Sequence, residues 1–182
     1  MSNKLRWIWV VPLLALLTLL AGCGQSSGSV AGLPSGWSWH HDDHYPFDAP
    51  VPPQWSVASF TNTQSPGDEC EYTVNFFPPG REAISERAAS ELEPELIAIT
   101  VKGSCPLADP SHDTDWTPEA GRINVGGTMC TVYDRAPEPD RMVVATFGGH
   151  QYLFYMQSPA NTAQRDEMLF KQMLERFRYT GK

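Results

Sequence analysis

Residues Arg122 to Gln157 read RINVGGTMCTVYDRAPEPDRMVVATFGGHQYLFYMQ, and this stretch decides the fold. Ile123 and Val125 lead into Gly126-Gly127, and Met129 to Tyr133 leads away. After a loop carrying Pro137 and Pro139, Met142 to Phe147 leads into Gly148-Gly149, and Tyr152 to Met156 returns. Paired glycines supply the positive φ angles of a two-residue hairpin turn at no steric cost. Two such hairpins in succession predict a four-stranded antiparallel meander.

On the C-terminal side the period changes. Leu169, Phe170, Met173, Leu174 and Phe177 recur at helical spacing and form one apolar stripe, which should cover a face of the meander. Asn161 is read as the N-cap of this helix, with Gln164 three residues on completing a capping-box-like pair. On the N-terminal side, Cys70 to Phe77 alternates, placing Cys70, Tyr72, Val74 and Phe76 on one face until Pro78-Pro79-Gly80 stops it. Leu96 to Val101 is apolar on both faces, as a covered central strand requires. Glu82 to Leu92 reads as a second, sparser helix with Ile84, Ala88 and Leu92 on its apolar side, bounded by Pro94. Strands grouped in a sheet with few segregated helices give the α+β class: an antiparallel sheet with a C-terminal helix packed on one face.

The whole chain has 182 residues, 41% of them apolar, 11% aromatic and 19% charged. That composition excludes a disordered, collagen-like or multi-pass membrane protein and leaves room for one domain. The formal charge of −8 repels phosphates, so no nucleic acid partner is expected. Four cysteines are too few for a disulfide scaffold.

The front of the chain is set apart. Lys4 and Arg6 precede an apolar run from Trp7 to Leu20, broken by Thr18 and containing Pro12. Such a run fits the core of a signal peptide and falls short of the ~20 residues a membrane span needs. It ends in Leu20-Ala21-Gly22-Cys23, which resembles the lipobox of bacterial lipoproteins. The resemblance implies that Cys23 receives a diacylglyceryl group and fatty acyl chains such as palmitate. It also implies that residues 1–22 are removed and that Cys23 holds the protein to a bilayer, its extracytoplasmic domain outside. Two or more acyl chains give stable membrane residence where one gives marginal binding. Gly24, not Asp, follows the cysteine, which in a host with two membranes implies the outer one. Loss of Lys4 and Arg6 leaves 11 basic and 21 acidic residues. Residues 24–36, GQSSGSVAGLPSG, carry no charge and little bulk, so residues 23–36 form a lipidated cysteine and a flexible tether spanning about 20 Å. The folded unit is expected at 37–182, a length that can fold without a metal.

A second resemblance covers most of that unit in order. Phe47 to Trp55 (FDAPVPPQW) is similar to the opening of PsbP-like domains, where an aromatic strand runs into a Pro-x-Trp turn. The Gly-Gly hairpin, the aromatic strand ending in Ser158-Pro159 and the last helix ending in an aromatic also look like that group. The resemblance implies an α/β/α sandwich around an antiparallel sheet and a non-enzymatic accessory or binding role.

Few residues invite chemistry. His40-His41-Asp42-Asp43-His44 has a high density of metal-ligand side chains, and in an extended segment His40, Asp42 and His44 would face one way. A fourth ligand must come from elsewhere, and His112, Asp113 and Asp115 form the other comparable group. A solvated strand entry at the end of the tether is the plainer reading of the cluster. With Cys23 acylated, three cysteines remain. Cys105, in a Gly-Ser-Cys-Pro loop, is the more adaptable partner, which favours Cys70–Cys105 over a bond to Cys130. Cys130 alternates with Val132 and reads as a small buried hydrophobe. Trp37 and Trp39, beside the tether, are the indoles placed to meet a ligand, whereas Trp55 reads as core. No G-x-S-x-G, H-E-x-x-H, P-loop, G-x-G-x-x-G or S-x-x-K motif occurs, and no cofactor is expected. The sequence thus points to an envelope lipoprotein that binds another envelope protein or a small ligand. The alternative is a metal-handling or hydrolytic protein using His40, His41 and His44.

Overall fold

The computed structural model describes residues 32–65, 68–80, 96–103, 105 and 109–181. The signal peptide, Cys23, the tether up to residue 31 and the helix expected at Glu82 to Leu92 lie outside the described residues. Among those described are ten strands: β1 (Ser38–His41), β2 (Phe47–Val51), β3 (Ser56–Ser65), β4 (Asp68–Phe77), β5 (Leu96–Lys102), β6 (Trp116–Val125), β7 (Thr128–Arg135), β8 (Asp140–Phe147), β9 (His150–Gln157) and β10 (Arg178–Tyr179). One α-helix, α1 (Ala163–Arg176), lies between β9 and β10.

The expected meander is present. β6, β7, β8 and β9 pair antiparallel in chain order, and β9 joins β5, β4 and β3 to make a seven-stranded sheet of order β3-β4-β5-β9-β8-β7-β6. Both glycine pairs turn with positive φ, at +54° and +88° for Gly126 and Gly127 and +57° and +84° for Gly148 and Gly149. Gly126 is further required by packing, since a Cβ there would lie 3.2 Å from the Phe147 ring and 3.3 Å from Phe177. A smaller antiparallel sheet, β1-β2-β10, was not legible beforehand apart from the Phe47-to-Trp55 segment. In that segment β2 runs into a turn closed by the Trp55 N–H donating to Pro52 O at 3.2 Å.

The core lies between the large sheet on one side and α1 with the small sheet on the other. Register aligns Val74, Ile99, Phe154, Val143 and Val132 in one row across five strands. Each is buried, and full burial of such a side chain contributes about 1.5–3 kcal/mol. Phe170, Met173 and Leu174 descend onto this face from α1, and Phe47, Ala49 and Val51 from β2. Phe177, the last residue of the expected stripe, packs its ring against Phe154 at 4.9 Å and against Phe47 and Phe147 at 5.5 Å. The structure is α+β as expected, and the alternation of Cys70, Tyr72, Val74 and Phe76 places all four inside.

The helix start differs from expectation. α1 begins at Ala163, so Thr162, not Asn161, occupies the cap position, and no side chain caps it. Pro159 explains the shift: its carbonyl accepts the Thr162 N–H at 3.0 Å, closing a turn over residues 159–162. That turn carries Asn161 outside the helix and removes Gln164 from the capping-box position.

Candidate functional site

The strand order puts the side chains with chemical capacity at two opposite ends of the large sheet. At the first end, β1 stops at His41 and the chain bends before β2, so the five residues His40 to His44 are not one extended face. Asp42 causes the bend. Its Oδ1 accepts the backbone N–H of His44 at 2.9 Å and of Tyr45 at 2.7 Å. Its Oδ2 accepts the Tyr72 hydroxyl at 2.8 Å and lies 3.4 Å from His40 Nε2. The Asp42 side chain is 1% exposed, so this carboxylate is satisfied from within the protein.

The three histidines consequently part company. His40 turns inward beside Phe47 and Phe76, with Asp42 as its polar partner. His41 turns outward, where register sets it opposite Asp48, and its Nδ1 lies 2.8 Å from Asp48 Oδ1. His44 reaches β4, with Nε2 2.8 Å from Glu69 Oε2, while its ring stacks on Tyr72 at 4.6 Å. Glu69 Oε1 accepts the Tyr45 hydroxyl at 2.8 Å, and the Tyr45 ring meets His150 edge-on at 5.3 Å. Among the described residues no group of three or more His, Cys, Asp or Glu side chains is placed to hold a metal ion. Of the three imidazoles only His44 reaches β4, and with the Tyr45–Glu69 and Tyr72–Asp42 hydrogen bonds it forms a clasp that fixes the β1–β2 loop to β4. His112 lies apart, on an exposed turn, 3.1 Å from Asp109.

Burial first, and then Glu69, pushes the Tyr45 hydroxyl up to about 12. Burial and the Asp42 carboxylate likewise push Tyr72 to about 12, against a lowering contact from Ser59. Both phenols are therefore hydrogen-bond donors at neutral pH, not nucleophiles. Beneath them the Tyr152 hydroxyl is buried without a hydrogen-bond partner among the described residues. The Cys70–Cys105 disulfide closes this same end, with Cα atoms 4.7 Å apart, next to Glu69. Cys130 is a free buried thiol, and burial pushes its pKa up, away from thiolate chemistry. The two tether-side indoles are both engaged. Trp37 packs against the core, and the Arg178 guanidinium covers the Trp39 ring at 4.0 Å.

At the second end, guanidinium groups take the place of imidazoles. Arg135 Nη2 donates to the buried Asp140 at 2.8 Å, and Asp140 also accepts the Tyr155 hydroxyl at 2.9 Å. Arg141 draws in Glu119 and Glu167, each at 2.9 Å, and Asp134 at 3.2 Å. Burial, with the Asp134 carboxylate as a hydrogen-bond acceptor, holds the Glu119 carboxyl above its ordinary range despite Arg141. The buried Asp166 of α1 accepts from Ser158 and, at 2.8 Å, from Arg165. Two adjoining clefts of about 210 and 320 Å³ share Pro137, Glu138, Pro139 and Asp140. Sequence inspection missed this end. Its signal is the pair of Arg residues flanking an acidic, proline-rich turn in RAPEPDR, which joins partners across strands only once β7 and β8 pair.

No family model matches the chain, and no curated protein matches it. Among solved structures the chain is similar to cyanobacterial PsbP (CyanoP) from Synechocystis sp. PCC 6803. The two are 15% identical, and the alignment covers 84% of this chain and 98% of that one with a TM-score of 0.45.

Proposed function

We propose that the chain is a membrane-anchored, extracytoplasmic lipoprotein whose domain acts by binding in the cell envelope, without catalysis. The carrying observation is Leu20-Ala21-Gly22-Cys23 at the end of a short apolar leader, followed by an uncharged Gly/Ser tether. The Cys70–Cys105 disulfide supports an oxidising compartment, because thiols in reducing compartments stay unpaired. Binding is favoured over catalysis because His40, His41 and His44 pair with separate carboxylates and do not converge on one point, the phenols are held protonated and the free thiol is buried. The occupant is an envelope protein or a small ligand at the membrane surface.

Intact mass spectrometry of the protein from its native host tests this proposal. The expected species begins at Cys23, carries a diacylglyceryl mass and lacks two hydrogens for one disulfide. An unacylated chain that retains residues 1–22 overturns the anchor. Cross-linking in native membranes that returns no partner at native abundance overturns the binding role.

A further inference from the structure

The two edges of the seven-stranded sheet are not alike. β6 is guarded: it carries Pro118, Glu119 and Arg122, and its pairing with β7 is interrupted between Pro118 and Arg122. Proline, charge and a bulge are the devices that stop an edge from accepting another strand. β3 has a different character. Its ten residues, SVASFTNTQS, include no charge and no proline, in a chain of formal charge −8. Among the described residues no strand lies beyond it, and Ser59, Thr61, Asn62 and Thr63 are exposed. Irregular pairing appears only past Asn62, which leaves Ser56 to Asn62 as a regular edge, open among the described residues.

We propose that this edge joins two copies of the chain, β3 against β3, antiparallel about a two-fold axis through Ser59. Self-pairing is favoured on charge. An acidic surface disfavours association generally, and the uncharged edge is the strip where two copies meet without apposing like charges. The guarded β6 edge disfavours β3–β6 pairing, which would run on into filaments, so the closed two-fold arrangement is the one left. With Ser59 on the axis, Val57 faces Thr61 and Ala58 faces Phe60 of the second copy. Each pair lies on one face of the joined sheet, as strand alternation requires. A seven-residue ladder buries less than standard interfaces do, so the dimer is weak and concentration-dependent.

The test is Ser59→Cys in the full-length protein, purified in mild detergent, oxidised mildly and mapped by mass. Residues on a two-fold axis of an antiparallel pair sit close enough for a disulfide. The expected product is a dimer bridged between the two substituted positions, with Cys70–Cys105 intact and no such product from Ala120→Cys on β6. Ser59→Lys, at the same exposed position, lowers dimer formation about tenfold. A monomer that keeps the Cys70–Cys105 bond and forms no bridge overturns the proposal. So does a bridge to a different protein, which identifies β3 as an acceptor for a foreign strand. Wild-type protein that sediments as a monomer at every concentration in mild detergent overturns it without any substitution. None of these outcomes depends on acylation of Cys23.

Discussion

The two ends of the large sheet satisfy their carboxylates with different partners. At the end that holds the β1–β2 loop, carboxylates Asp42, Asp48 and Glu69 are met by imidazoles and phenols. At the β7–β8 turn, Asp134, Asp140, Glu119 and Glu167 are met by Arg135 and Arg141. Guanidinium stays charged at every accessible pH, whereas the Tyr45 and Tyr72 phenols act as neutral donors. The first end is therefore a hydrogen-bonded clasp, and the second is a fixed electrostatic lock. The first end alone is also closed by a disulfide.

The largest way to break this contrast is Cys105→Ala. Its bridge closes a loop with a sequence separation of 35, and loop-closure entropy assigns it about 4 kcal/mol. Denaturant unfolding should show that loss, with hydrogen exchange accelerating around residues 42–46 and 68–72 before it does around Gln157. Uniform acceleration would mean the ends are not separate. Next is Asp42→Ala, which leaves two backbone N–H groups and the Tyr72 hydroxyl without their acceptor and should cost about 3 kcal/mol. Asp140→Ala should cost less, about 2 kcal/mol, because Arg135 is one-third exposed and regains water. Melting of the two variants side by side checks the order, and a reversal would make the lock the more important end.

A smaller effect concerns alkaline pH. Tyr45 and Tyr72 ionise near 10 in the unfolded chain and near 12 in the native one, so the native state holds their protons more tightly. Their contribution is complete below pH 10 and disappears as pH rises to 12. A Tyr45→Phe, Tyr72→Phe double variant should flatten the fall of Tm across that window, and an unchanged slope would remove these phenols from the clasp. The smallest expected change is His41→Ala. Its ring is mostly exposed, and its pair with Asp48 should contribute no more than about 0.5 kcal/mol by thermal melting. A loss several times larger would make all three histidines one structural unit.

How much of this was legible follows from the range of the interactions. The meander, its two glycine turns, the central strand at Leu96 and the α1 stripe were readable because period and turn chemistry are local. The α1 cap was misread by one residue because the preceding Pro159 turn competes for the same backbone. β3 escaped notice because SVASFTNTQS has no apolar alternation, and its strand character comes from pairing with β4. The histidine cluster was visible as a sequence but not as a geometry. Asp42 bends the chain through contacts with His44 and Tyr45 nearby and with Tyr72 thirty residues away.

By itself, the sequence determined the α+β class, the order of β6 to β9 and the inward face of β4, and it favoured the pairing of Cys70 with Cys105. It also carries the lipobox-like leader on which the proposed anchor rests. All of these are written in residue type at short spacing. Only the tertiary structure decided that three neighbouring histidines serve three different carboxylates, that Arg178 covers the Trp39 ring, and that one sheet edge is guarded while the other is bare among the described residues. Those outcomes depend on which strands lie side by side, and a strand finds its neighbour through a whole buried face, not through any one of its residues.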